Sequence, residues 1–102
     1  MRESECQRKI IQALEAAGWY VVKIIQTNRN GWPDLQALKD GVCVFIEVKA
    51  PNGKLSELQK YRHKQLIKQG FTVLTLTQIT HHDIARLSHA PQGDGPIRDR
   101  DG

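Results

Sequence analysis

An Asp40-Gly41 pair separates two short apolar runs, and little else in the chain restricts its fold as strongly. Asp-Gly suits a tight hairpin turn because both central positions of that turn take positive φ. The run that follows, Val42-Cys43-Val44-Phe45-Ile46-Glu47-Val48-Lys49, is the most hydrophobic in the sequence and is expected to be a central strand. The preceding run, 34–38, comes after Pro33, which cannot donate a ladder hydrogen bond and so suits the entry to a strand. Folding back at the turn brings Asp34 beside Glu47 at one end of the hairpin. Residues two apart on a strand share a face, so Glu47 and Lys49 lie on one side and Val48 on the other.

Elements flank this hairpin on both sides. Ile10, Ile11 and Leu14, with several alanines, predict an amphipathic helix over 3–17, stopped by Gly18. Carried back from Leu14 through Ile10, its apolar stripe reaches Gln7 and Glu3, which puts the Glu3 carboxylate on the inward face. A buried charge there needs a partner; otherwise Glu3 frays into solvent and complements the helix dipole. The β-branched and aromatic run 19–26 reads as a strand. Pro51-Asn52-Gly53 breaks the chain, and Ser56-x-x-Gln59 is a capping box opening a helix that runs to about residue 69. A last strand over 71–76 and a short helix over 81–88 follow. The Pro- and Gly-containing end, 91–102, has too little apolar surface to order itself and is expected as a flexible tail. The order α-β-β-β-α-β implies an α/β sheet flanked by helices, in one domain over 1–90.

With 102 residues, the chain has room for one modest core. No apolar run approaches the ~20 residues of a membrane span, and the start of the chain has no apolar signal core. The expectation is a cytoplasmic protein with no membrane partner. Cys6 and Cys43 suggest ordinary thiols in a reducing compartment rather than a disulfide framework. A net charge of +4 favours a polyanionic partner.

Two carboxylates and an ammonium on one patch have the makings of a divalent-metal hydrolase site. Cutting a phosphodiester needs an activated water and relief of charge on the phosphate, and Mg²⁺ prefers one or two carboxylates plus waters and phosphate oxygens. Asp34 and Glu47 are such ligands, the Val48 carbonyl is a candidate third, and Glu3 would join through a water. Lys49 would orient the attacking water or neutralise transition-state charge. Lys23, Arg29 and Lys54 are candidate phosphate contacts, as are Lys60, Lys64 and Lys68, which share one helix face. Each feature has a plainer reading: Glu47-x-Lys49 as a solvated pair, the lysine row as a wet helix face, Gln59 as a cap. His63, His81, His82 and His89 form no metal pattern. Trp19 and Tyr61 read as core or interface residues, and Trp32, beside Asp34, as the aromatic to test for DNA contact.

Gly31-Trp32-Pro33-Asp34, Glu47-Val48-Lys49 and Gly53-x-Leu55-Ser56-x-x-Gln59, with Glu3 and Gln7 ahead of them, resemble the VRR-NUC domain of the restriction-endonuclease-like PD-(D/E)XK superfamily. The resemblance spans nearly all of residues 3–76. It implies a restriction-endonuclease-like α-β-β-β-α-β core with a mixed central sheet, and a Mg²⁺- or Mn²⁺-dependent DNA endonuclease. Glu3, Asp34, Glu47 and Lys49 would be catalytic, with Gln59 supporting the site. Stand-alone domains of this kind are similar to Holliday-junction resolvases that act as homodimers, since a twofold pair of sites suits symmetric cuts in a four-way junction. The residues themselves lead only as far as a metal-dependent phosphodiesterase. A non-cleaving DNA-binding module and a flap- or nick-directed nuclease are the alternatives.

Overall fold

The computed structural model describes residues 1–87. Its elements are α1 (Glu3–Ala16), β1 (Tyr20–Lys23), β2 (Leu35–Lys39), β3 (Val42–Val48), α2 (Glu57–Lys68), β4 (Thr72–Leu76) and α3 (His81–Leu87). The strands form one sheet in the order β1-β2-β3-β4. The first three run antiparallel, and β4, reached through α2, lies parallel to β3. This is the expected α/β architecture with a mixed sheet. The tail expected over 91–102 and the Ser88 end of the last helix lie outside the described residues. No helix among the described residues is long and apolar enough to cross a membrane.

The hairpin forms as its turn chemistry dictates. Asp40 and Gly41 take φ of 48° and 82°, and Lys39 pairs with Val42 across the two-residue turn. At its open end the ladder stops at Leu35 opposite Ile46.

Two strands begin one residue later than their apolar patterns imply, for the same reason. After α1, Gly18 takes a φ of 91°; its N–H bonds the Glu15 carbonyl and the Trp19 N–H bonds the Leu14 carbonyl. After α2, Gly70 takes 96°, with matching bonds from Gly70 to Ile67 and from Phe71 to Leu66. These are Schellman motifs, in which the apolar residue after the glycine packs back on its helix. Trp19 and Phe71 are therefore committed to helix ends. The Lys39 ammonium adds a bond of 2.8 Å to the Ala17 carbonyl at the end of α1. The first strand also ends early, at Lys23 rather than at residue 26, with one further bond from the Ile24 N–H to the Asp34 carbonyl.

The sheet's two faces differ in chemistry. Leu35, Ala37, Val44, Ile46 and Val48 pack with Cys6, Ile10 and Leu14 of α1, with Trp19, and with Ile84 and Leu87 of α3. This is the main core. The alternate residues Phe45 and Glu47 turn to the other face, where α2 lies. There Phe45 meets the rings of Trp32 and Phe71 edge-on, with centroids 5.7 and 5.6 Å apart.

The α1 stripe departs from expectation. Its buried residues are Cys6, Ile10 and Leu14, while Glu3 is exposed and Gln7 half-buried. A thiol behaves as a small hydrophobe, so Cys6 takes the inward place and spares Glu3 burial. Neither Cys6 nor Cys43 forms a disulfide.

Candidate active site

Asp34 sits immediately before β2, in the gap that Pro33 leaves in the ladder. Having no N–H, Pro33 cannot extend the pairing, and the Asp34 carboxylate accepts the Val48 N–H at 2.8 Å. A backbone amide of the neighbouring strand thus fixes that carboxylate. Glu47, one residue before Val48, is 1% exposed although it is a carboxylic acid.

Burial of a carboxylate demands partners, and α2 supplies two. Gln59 donates its side-chain amide to Glu47 Oε2 at 3.2 Å, and His63 Nε2 lies 3.3 Å from Oε1. Burial is the main cause that pushes the Glu47 pKa up to about 8; a hydrogen bond with Asp34 and the charge of Asp34 push the same way. Lys49 draws it back down, and Glu3 adds a smaller upward push. Asp34, Lys49 and Glu3 therefore all act on Glu47, with Glu3 doing so from the exposed start of α1. Burial lowers the pKa of His63, with Lys49 adding to that and Asp34 opposing it. The imidazole is neutral at neutral pH, and its contact with Glu47 is a hydrogen bond rather than an ion pair.

The capping box at Ser56 is formed in both directions. Ser56 Oγ accepts the Gln59 N–H at 3.1 Å, and Gln59 Oε1 accepts the Ser56 N–H at 2.9 Å. That second bond fixes which end of the amide is oxygen, so the NH₂ faces Glu47. Gln59 thus caps α2 and bonds Glu47 with the same side chain.

The inner face of α2 is not the one its apolar residues mark. His63 and Leu66 are buried, whereas Leu58, Tyr61 and Ile67 stand exposed. The helix turns polar groups inward because the surface beneath it carries Glu47. Sequence reasoning missed His63; its position four residues after Gln59, one turn along the same face, was the available signal. Arg62 Nε ties the helix to the Asn30 carbonyl at 2.7 Å, just before the Trp32-Pro33-Asp34 segment.

The candidate phosphate contacts Lys23, Arg29, Lys54, Lys60, Lys64 and Lys68 are all exposed. Lys60 also pairs with Glu57 at 3.1 Å. Lys60 and Lys64 lie one position on from Gln59 and His63, and Lys68 one on from Ile67, roughly 100° round the helix.

A buried Glu47 beside a half-buried Asp34 at the end of a mixed sheet, with a lysine two residues on and a helix-borne glutamine, is the arrangement expected of a PD-(D/E)XK-type site. The chain belongs to the VRR-NUC family, whose domain model matches residues 2–77. A phage relative, the putative nuclease p44 of Acyrthosiphon pisum secondary endosymbiont phage 1, is 31% identical over 77 residues, covering 74% of this chain and 83% of its own length. A solved structure described as a VRR_NUC domain matches with a TM-score of 0.68 at 30% identity, covering 85% of this chain and 94% of that one.

Proposed function

We propose that this VRR-NUC domain is a divalent-metal-dependent, structure-selective DNA endonuclease that acts as a homodimer on four-way junctions. The observation that carries the metal-dependent reading is the Asp34–Glu47 pair, in which a fully buried carboxylate holds a proton to about pH 8 beside a second carboxylate. Such a pair fits a hard cation, which would take the place of that shared proton. Among the described residues, no set of three or more His, Cys, Asp or Glu side chains is arranged to hold a metal ion. Two carboxylates completed by waters and phosphate oxygens suit Mg²⁺ or Mn²⁺ better than zinc.

Asp34 and Glu47 would hold the ion with the Val48 carbonyl, and Glu3 would join through a water. When bound, such a cation makes a water nucleophilic and offsets charge on the phosphate. Asp34 is pre-oriented by the Val48 amide and Glu47 by α2, so neither carboxylate reorganises as the substrate arrives. Lys49, on the same face as Glu47, orients the attacking water or meets the growing negative charge. Lys23, Arg29, Lys54, Lys60, Lys64 and Lys68 hold the DNA backbone.

The family membership and the relative named as a putative nuclease support cleavage; the resemblance to junction resolvases supports the branched substrate. Exposed apolar side chains on β1 (Tyr20, Val22) and α2 (Leu58, Tyr61, Ile67) support self-association. The test is cleavage of labelled four-way, flap, nicked and linear duplex DNA with Mg²⁺ or Mn²⁺. Junction cleavage that EDTA and Asp34→Asn both abolish is the expected result. Undiminished cutting by the Asp34→Asn protein would overturn the site assignment.

A further inference from the structure

Glu47 is gripped from one helix by two side chains, one for each oxygen. Gln59 takes Oε2 at 3.2 Å, and His63 Nε2 stands 3.3 Å from Oε1. The two are four residues apart on α2 and present neighbouring polar groups to the sheet. Gln59 has an independent reason to be where it is, because its Oε1 closes the capping box with the Ser56 N–H. His63 has none. It is 7% exposed in a layer where Phe45 and Leu66 are apolar, and an aliphatic side chain would fill that space without the cost of burying an imidazole.

We propose that His63 is a positioning residue for the metal-binding carboxylate: together with Gln59 it fixes the plane of Glu47. A carboxylate offers about four lone-pair positions. Donation from α2 to each oxygen occupies two of them and leaves one on each oxygen for the Asp34 side and for a cation. Without the imidazole N–H, the carboxylate turns about the bond that joins it to its side chain, and the second oxygen loses its fixed direction. The role extends the nuclease reading above and rests on it.

The experiment measures Mn²⁺ binding to the full chain by calorimetry at one pH, without DNA, for the native protein and for His63→Leu, His63→Gln and His63→Asn. Partners that orient a ligand typically contribute 10–100-fold in metal affinity, so His63→Leu is expected to weaken binding by roughly that factor. The glutamine amide reaches the place of Nε2 and restores binding to within a few-fold of native; the asparagine amide ends near Nδ1 and does not. Urea denaturation of the same variants separates this from general loosening: His63→Gln and His63→Asn are expected to have similar stability while their Mn²⁺ affinities differ. Native-like Mn²⁺ binding by His63→Leu would overturn the role. So would equal losses in the glutamine and asparagine variants, a comparison that stands even if the leucine variant fails to fold. Native protein that takes up no Mn²⁺ would overturn the metal-dependent reading itself, and this role with it.

Discussion

Glu47 carries a consequence for stability that can be measured without substrate. Its pKa stands near 8 in the folded chain against 4.5 as the ordinary value. Between those limits the folded protein holds a proton that the unfolded chain has released, so folding stability falls as pH rises. The contribution is fully present below about pH 4.5 and is lost as pH passes 8. In EDTA, the native melting temperature should decline over this window more steeply than that of Glu47→Gln, as scanning calorimetry would check. Equal slopes would mean that Glu47 ionises normally. Gln59 makes a second prediction through Ser56. Ser56→Ala removes an N-cap oxygen and should cost about 1 kcal/mol in urea denaturation. Cleavage should also slow, because Gln59 loses the backbone bond that holds the start of α2 in place beneath it. Asp34, Glu47, Lys49 and Gln59 were legible in sequence because Pro33 marks the first, strand alternation the next two and the capping-box spacing the last. His63 was not, since a histidine in a helix rich in lysine and glutamine looks like one more solvated residue until the carboxylate beneath it is known.

At the scale of elements, chain reversals were readable and exact strand starts were not. Asp40-Gly41, Gly18 and Gly70 each sit where the backbone takes positive φ, and each announces itself by residue type. What local pattern cannot separate is an apolar residue that opens a strand from one that closes a helix, and Trp19 and Phe71 are of the second kind. The packing of α2 on the segment before Asp34 gives a sharper test. Gly31 has a φ of 84°, and a Cβ there would come within 2.8 Å of the Leu58 side chain and 3.0 Å of its backbone. Gly31→Ala should therefore destabilise, and by more than the ~0.4–1 kcal/mol that a replacement compatible with its backbone gains. It should also weaken cleavage, since it pushes α2 away from Glu47. A urea midpoint equal to the native one would show that the helix yields without cost.

For the whole molecule, charge and surface decide how DNA is held. Each phosphate contact contributes about one unit to the slope of log affinity against log salt. A triple Lys60→Ala, Lys64→Ala, Lys68→Ala protein should bind junction DNA more weakly in Ca²⁺, with that slope reduced by up to about three. Fluorescence anisotropy over a salt series would measure it, and an unchanged slope would place the DNA elsewhere. Tyr20 is 71% exposed on β1, an edge strand paired with β2. Sedimentation should find a dimer, and Tyr20→Glu or Ile67→Glu should shift it toward monomer according to which surface closes it.

The sequence by itself determined the hairpin, the helix ends and the two acids that straddle it, because turn geometry, capping and strand alternation act over a few neighbouring residues. Tertiary structure alone decided which face of α2 points inward, and that Cys6 rather than Glu3 lines the core. It also decided that a histidine closes over Glu47. Those outcomes depend on which surfaces meet across the sheet, and a buried carboxylate on β3 rewards polar donors where helical periodicity alone would have placed leucine.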